Sequence, residues 1–183
     1  MAKALFATTA YLKENTVIDE NVDDKLLTHM IEDAQDLKIE PILGTDLYVD
    51  LMDKVIAGTI AGNDKTLLDD YVFPTLKYYI VAEATWQLTV RFRNKGTEVM
   101  SSENAQAANR SDRQTVTSRY EDKAEEMAQR TINYLCENED LFPLYSENTT
   151  HDKIKPITNS ANVSIYLPDS SRRLRKSAEE RYG

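Results

Sequence analysis

The stretch Pro74–Arg93, PTLKYYIVAEATWQLTVRFR, decides how the chain is read. Glu83, Gln87 and Arg91 recur at four-residue spacing, so they form one polar line along a helix. Leu76, Tyr79, Ile80, Val81, Trp86, Leu88, Val90 and Phe92 cover the rest of its circumference. A helix that is apolar over most of its surface belongs at the centre of a domain. Lys77, Glu83 and Arg91 make it too costly as a membrane span. The pattern predicts a core helix running to about Arg93, with Trp86 buried, in an all-α domain.

Upstream, Asn21 reads as an N-cap, with Asp23 and Asp24 in the first turn, where they favour the helix dipole. Leu26, Leu27, Met30, Ile31, Ala34 and Leu37 follow at helical spacing, until Pro41 and Gly44 close or interrupt the helix. Thr45 caps a second helix with Leu47, Tyr48, Leu51, Met52, Val55 and Ile56 on one face. Asp64 caps a third, carrying Leu67, Leu68, Tyr71 and Val72, and Pro74 kinks it or starts the central helix. Residues 1–20 read as extended.

Downstream, residues 94–110 have no periodicity, and a stretch of that length exceeds the roughly 12–15 residues usual inside a compact domain. It reads as a functional or partner-ordered loop. Ser111 or Asp112 caps a last long helix with a narrow stripe of Val116, Tyr120, Ala124, Met127, Thr131 and Leu135. At about 1.5 Å per residue it reaches roughly 40 Å. Its first half is too polar to be enclosed, so it meets solvent or another molecule. Leu141, Phe142, Leu144 and Tyr145 fold back on the helices. The expectation is a bundle of four to five helices over 1–146 and an extended basic arm over 147–183. In the arm, Val163, Ile165 and Leu167 alternate with polar or amphipathic residues as a short strand that could add to a partner's sheet edge. Arg172, Arg173, Arg175 and Lys176 follow it.

Composition narrows the class. The apolar fraction of 41% supports a core and excludes a disordered chain. Five glycines and five prolines favour long helices. One cysteine, Cys136, excludes an internal disulfide framework, and the N-terminus lacks the apolar run of a signal peptide, so a cytoplasmic origin is expected. The net charge of −9 is uneven: residues 151–183 carry seven Lys/Arg against four Asp/Glu, leaving an acidic body.

Catalytic signals are weak. His29 with Glu32 is an isolated pair, and His151 and Cys136 stand alone in sequence. Asp23/Asp24, Asp69/Asp70 and Glu125/Glu126 are adjacent acids that point apart on a helix. Glycine-rich phosphate loops and hydrolase motifs are absent. The expectation is a non-enzyme with no catalytic, cofactor or metal residues.

Three pieces, Ala34-Gln35-Asp36, Ile39-x-Pro41-Ile42-Leu43-Gly44-Thr45 and Leu47-Tyr48, resemble the head–tail connector proteins (adaptor or head-completion proteins) of tailed bacteriophages. The crAss-like and related phages of Bacteroidetes hosts carry the most similar version. The Ser101-Ser102-Glu103-Asn104 loop and the Tyr120–Leu135 helix share the likeness, which spans about residues 5–145. It implies a structural virion protein, made in the host cytoplasm, that forms a ring, commonly of twelve copies, at the head–tail junction. Such a ring docks under the portal protein, receives the next tail component and extends a channel through which DNA passes without specific binding. On that reading Glu103, Asn104, Arg113 and Arg119 contact neighbouring subunits, and Val163, Ile165, Leu167, Arg172, Arg173, Arg175 and Lys176 contact the portal. The alternative is an acidic helical adaptor that holds another protein through its tail.

Overall fold

The computed structural model describes residues 4–88, 90–93, 96–99, 109–146 and 154–158. These residues are predominantly helical. Thr8 accepts a hydrogen bond from the Tyr11 N–H and starts α1 (Thr9–Asn15), so the N-terminal region is not wholly extended as expected. Helix α2 (Asp24–Ala34) is capped by Asp23, whose carboxylate accepts the Lys25 N–H at 2.9 Å; the cap falls two residues after Asn21. Helix α3 (Glu40–Leu43) leads through Gly44 into α4 (Thr45–Ala57). Gly44 has φ 76°, a backbone angle that a side chain would strain. Helix α5 (Gly62–Leu67) begins before Asp64, which lies in its first turn and holds Lys54 at 2.7 Å.

Pro41 and Pro74 do not end their helices. Each follows a π-helical stretch, Gln35–Ile39 and Leu68–Val72. The proline ring would clash with the carbonyl four residues back. The wider turn relieves this, and the bonding steps out by one residue: the Glu40 N–H donates to the Gln35 carbonyl, and the Phe73 N–H to the Leu68 carbonyl.

Helix α6 (Phe73–Gln87) is the central helix, with Leu76, Ile80, Val81 and Ala84 buried. It ends six residues earlier than expected. Val90–Arg93 (β1) pairs antiparallel with Gly96–Val99 (β2), placing Val90 opposite Val99 and Arg91 opposite Glu98. Val90, Arg91 and Phe92 suit either structure. The β-branched and aromatic content, followed by Gly96, lets the hairpin win. Part of the expected 94–110 loop is thus strand; residues 100–108 lie outside the described residues.

Helix α7 (Arg110–Glu137) starts at Asn109, whose side chain accepts the Asp112 N–H at 2.8 Å, just before the expected caps. Its buried line is Thr117, Ala124, Ala128, Thr131, Ile132 and Leu135; Ala124, Thr131 and Leu135 of the expected stripe are buried, whereas Val116 is 42% exposed. Small residues let α7 lie close along α6. The Thr75 and Thr131 hydroxyls meet in the seam at 3.2 Å, and both reach the Tyr71 carbonyl. Tyr71 stacks on Tyr134 at 4.1 Å, and Tyr134 meets Phe142 edge-on at 5.9 Å. Helix α8 (Pro143–Ser146) then closes the body. Phe142 and Tyr145 are buried as expected, while Leu141 and Leu144 stay exposed.

Buried Gln35 fixes the N-terminal segment. Its Oε1 accepts the Phe6 N–H at 2.6 Å, and its Nε2 donates to the Ala4 carbonyl at 3.2 Å. The Phe6 ring packs edge-on against Tyr48 at 5.4 Å, and the Tyr48 hydroxyl donates to Asp36 at 2.8 Å. Replacing Gln35 with Leu leaves the Phe6 N–H buried without an acceptor. The variant should lose about 1–3 kcal/mol of stability. Urea unfolding measures this, and an unchanged midpoint contradicts the clamp.

Alkali gives a second check. Burial, then Cys136 and Glu139, push the Tyr145 hydroxyl above the ordinary value near 10. The neutral form is thus favoured in the folded state. Its contribution is complete below the unfolded value and is lost as pH rises above it. The unfolding midpoint should fall with rising pH above about 10, and less steeply in Tyr145→Phe. Equal slopes would remove Tyr145 as a cause.

Candidate functional site

Among the described residues there is no cluster of His, Cys, Asp and Glu placed to hold a metal ion, and no helix is long and apolar enough to cross a membrane. His29 sits 3.5 Å from Glu32 on an exposed face, and the Cys136 thiol lies 3.7 Å from the Tyr145 hydroxyl.

Of the residues expected at neighbour contacts, Arg113 and Arg119 lie on the polar first half of α7, where Arg119 is exposed. The Arg113 guanidinium stacks 5.1 Å from the Trp86 ring. Its Nε and one terminal nitrogen are buried without a hydrogen-bond partner among the described residues, as is the Thr117 hydroxyl. Trp86 corrects the buried-core expectation: it is 37% exposed, at the end of α6 where the hairpin begins. Glu103 and Asn104 lie outside the described residues. So do Val163, Ile165, Leu167, Arg172, Arg173, Arg175 and Lys176, with the expected tail strand, and His151.

The beginning of the arm is visible. Residues 154–158 form an extended strap on the body. The Thr45 N–H donates to the Ile154 carbonyl at 3.1 Å, and the Ile154 N–H donates to the Thr45 hydroxyl at 3.0 Å. The Ile157 N–H donates to the Pro41 carbonyl at 3.0 Å, and the buried Tyr145 hydroxyl donates to the Ile157 carbonyl at 2.9 Å. The Ile154 and Ile157 side chains remain largely outside, at 43% and 52% exposure. Main-chain hydrogen bonding, not apolar burial, holds the strap. That explains why hydrophobic patterning gave no sign of it.

Two cavities flank the α6–α7 seam. One, of about 190 Å³, lies between these helices and the α2 end. Ala34, Tyr79 and Ala82 give it an apolar floor, exposed Leu37 lies at its edge, and Asp33, Glu83, Glu121 and Glu125 ring it with negative charge. Among the described residues Lys38 is the one cation lining it, held 5.4 Å from the Tyr79 ring. Burial, then Glu125 and Glu121, raise the Tyr79 hydroxyl pKa. The other cavity, of about 200 Å³, lies beside α1 and is lined by Lys77, Tyr78, Val81, Tyr120, Lys123 and the Asn15–Val17 corner. Lys77 lies 5.0 Å from the Tyr78 ring, and Lys123 lies 4.9 Å from Tyr120 and 5.8 Å from Tyr78. Sequence reasoning missed both cavities, because each joins three distant segments. The signal that could have found them was the phase of α6: Tyr79, Ala82 and Glu83 share one side, Lys77, Tyr78 and Val81 the other.

The sequence pattern of DUF6712, a family of unknown function, matches residues 39–154. The chain belongs to this family. The DUF6712 match ends at Ile154, the first residue of the strap. No curated protein and no solved structure matches the chain.

Trp86 is the one tryptophan in the chain, so its emission reports on the Arg113 contact. Arg113→Ala should shift that emission. Trp86→Ala should cost about 1–2 kcal/mol, below the about 3–5 kcal/mol of a fully buried large aromatic. Thermal or urea unfolding distinguishes the two magnitudes, and a loss in the upper range would place Trp86 in the core after all.

Proposed function

We propose that this DUF6712 protein is a structural virion component: a ring-forming head–tail connector that docks under the portal and joins head to tail. The observation that supports this most is the strap. It fixes the root of the C-terminal arm at the junction of α3, α4 and α8. Arg172 follows Thr158 by fourteen residues, so the basic cluster has up to about 46 Å of extended chain with which to reach a neighbour. Arginines suit an acidic protein surface, where each can bind a carboxylate in bidentate fashion. Four cations would give only salt-sensitive DNA binding, opposed by the acidic body. The long polar flank of α7 fits a subunit whose remaining surface meets its own copies. The domain proposal is a helical body to residue 146 and an arm from 147, with the arm rooted on the body by 154–158.

Electron microscopy of the protein mixed with the phage portal tests this reading: a closed ring on the portal supports it. Glu substitutions at Arg172, Arg173 and Arg175 should abolish attachment and leave helical circular dichroism unchanged. Attachment that survives the reversal, with wild-type protein shifting duplex DNA at physiological salt, overturns the arm's assignment. A partner bound through the arm by a stable monomer favours the acidic-adaptor reading.

Chains ending at Ser146 and at Thr158 provide a separate check of the boundary. Both should unfold cooperatively. The shorter chain should have the lower midpoint, because it loses the acceptor of the Tyr145 hydroxyl. Loss of cooperativity in either would place the arm within the core.

A further inference from the structure

We infer that the two cavities beside the α6–α7 seam are the halves of one head-to-tail contact, the acidic cavity of one copy receiving the Lys77–Lys123 face of the next. The inference deepens the ring-forming reading and rests on it for closure of the ring. The contact itself rests on charge and shape. Asp33, Glu121 and Glu125 have no ion-pair partner among the described residues, and neither do Lys77 and Lys123. Among the described residues, therefore, both surfaces carry charge without an ion-pair partner, Lys38 being the one cation beside the acidic group. Each also exposes a large apolar side chain beside its cavity, Leu37 at 70% and Val17 at 75%.

The lysines are already stationed over Tyr78 and Tyr120. Little side-chain entropy remains to be lost when they meet carboxylates. Two acidic faces repel, and so do two basic ones, so neither surface can pair with itself about a two-fold axis. Opposite faces on the two sides of one seam suit a heterologous contact, in which the acidic face of each copy takes the basic face of the next. Repetition of such a contact gives a ring when the rotation closes and a filament when it does not.

Two double variants test this, Glu121→Lys with Glu125→Lys, and Lys77→Glu with Lys123→Glu. In the first both faces are basic, and in the second both are acidic. Sedimentation velocity on the full chain should show concentration-dependent association of wild type at about 50 mM salt that weakens at about 500 mM, as charge screening requires. Each variant alone should lose the larger species while keeping wild-type circular dichroism and unfolding midpoint. An equimolar mixture should regain them, because each reversed face then meets its complement. Wild type that stays monomeric at low salt overturns the inference. So do folded variants that associate like wild type, or a mixture that stays dissociated. The connector reading fails separately: assembly through these faces with no attachment to the portal leaves the contact standing and removes the connector function.

Discussion

The close approach of α7 to α6 is the constraint on which the rest of the structure depends. Ala124, Ala128 and Thr131 present almost no bulk, so the two helices come near enough for the Thr75 and Thr131 hydroxyls to meet. A buried hydroxyl without a partner costs stability, and these two answer each other and the Tyr71 carbonyl. The aromatic series Tyr71–Tyr134–Phe142 continues the contact to the end of the body. A larger residue at Ala124 would separate the helices along their length. It would also open both flanking cavities, whose walls are the two edges of this seam.

The π-helical stretches show how local chemistry serves the packing. A helix broken at Pro41 or Pro74 would lose its direction. Widening by one residue keeps the axis and changes the phase of the turns beyond the proline. The first stretch also brings Gln35 inward, where its amide stands in for a missing strand partner and satisfies the main chain at Ala4 and Phe6. That bond draws the N-terminal segment over the core and seats Phe6 against Tyr48. The α3–α4 junction carries a second main-chain attachment, through Thr45 and Pro41, to the strap. Both ends of the described chain are thus tied to the same region by polar bonds.

Legibility in the sequence followed the type of interaction. The four longer helices, α2, α4, α6 and α7, announced themselves through apolar spacing, and Phe142 and Tyr145 through their bulk. Spacing said nothing reliable about ends. Asn21, Ser111 and Asp112 are good caps by composition, yet Asp23 and Asn109 hold those positions because their side-chain oxygens align with the free N–H groups. Val90 to Phe92 satisfied a helical pattern and a strand pattern equally, and the pairing with Gly96–Val99 decided between them. Trp86 was misplaced because apolar neighbours in sequence do not fix the side of a helix, and its side faces Arg113. Among the contact residues, Arg113 was legible as a charge on an unenclosed helix, but not its ring partner. The cavities were not legible: Asp33 and Glu121, like Val17 and Lys123, are brought together only by tertiary packing.

The net charge of −9 is not spread evenly over the two flanks of the seam, which is what the proposed contact between copies requires. A uniformly acidic surface would hold all copies apart. Here α6 turns Glu83 to one flank of the seam and Lys77 to the other, and α7 does the same with Glu121 and Lys123. Consecutive turns of two adjacent ridges thus sort opposite charges to opposite sides, which a helix achieves with residues only two to six apart in sequence. The overall repulsion then works for specificity, because only the orientation that sets cation against carboxylate offsets it. In the proposed contact, apolar Leu37 and Val17 beside the two cavities add burial to that orientation. On the proposed connector reading, the same excess negative charge discourages random association, while the basic arm, rooted at the strap, suits the acidic surface of a neighbour.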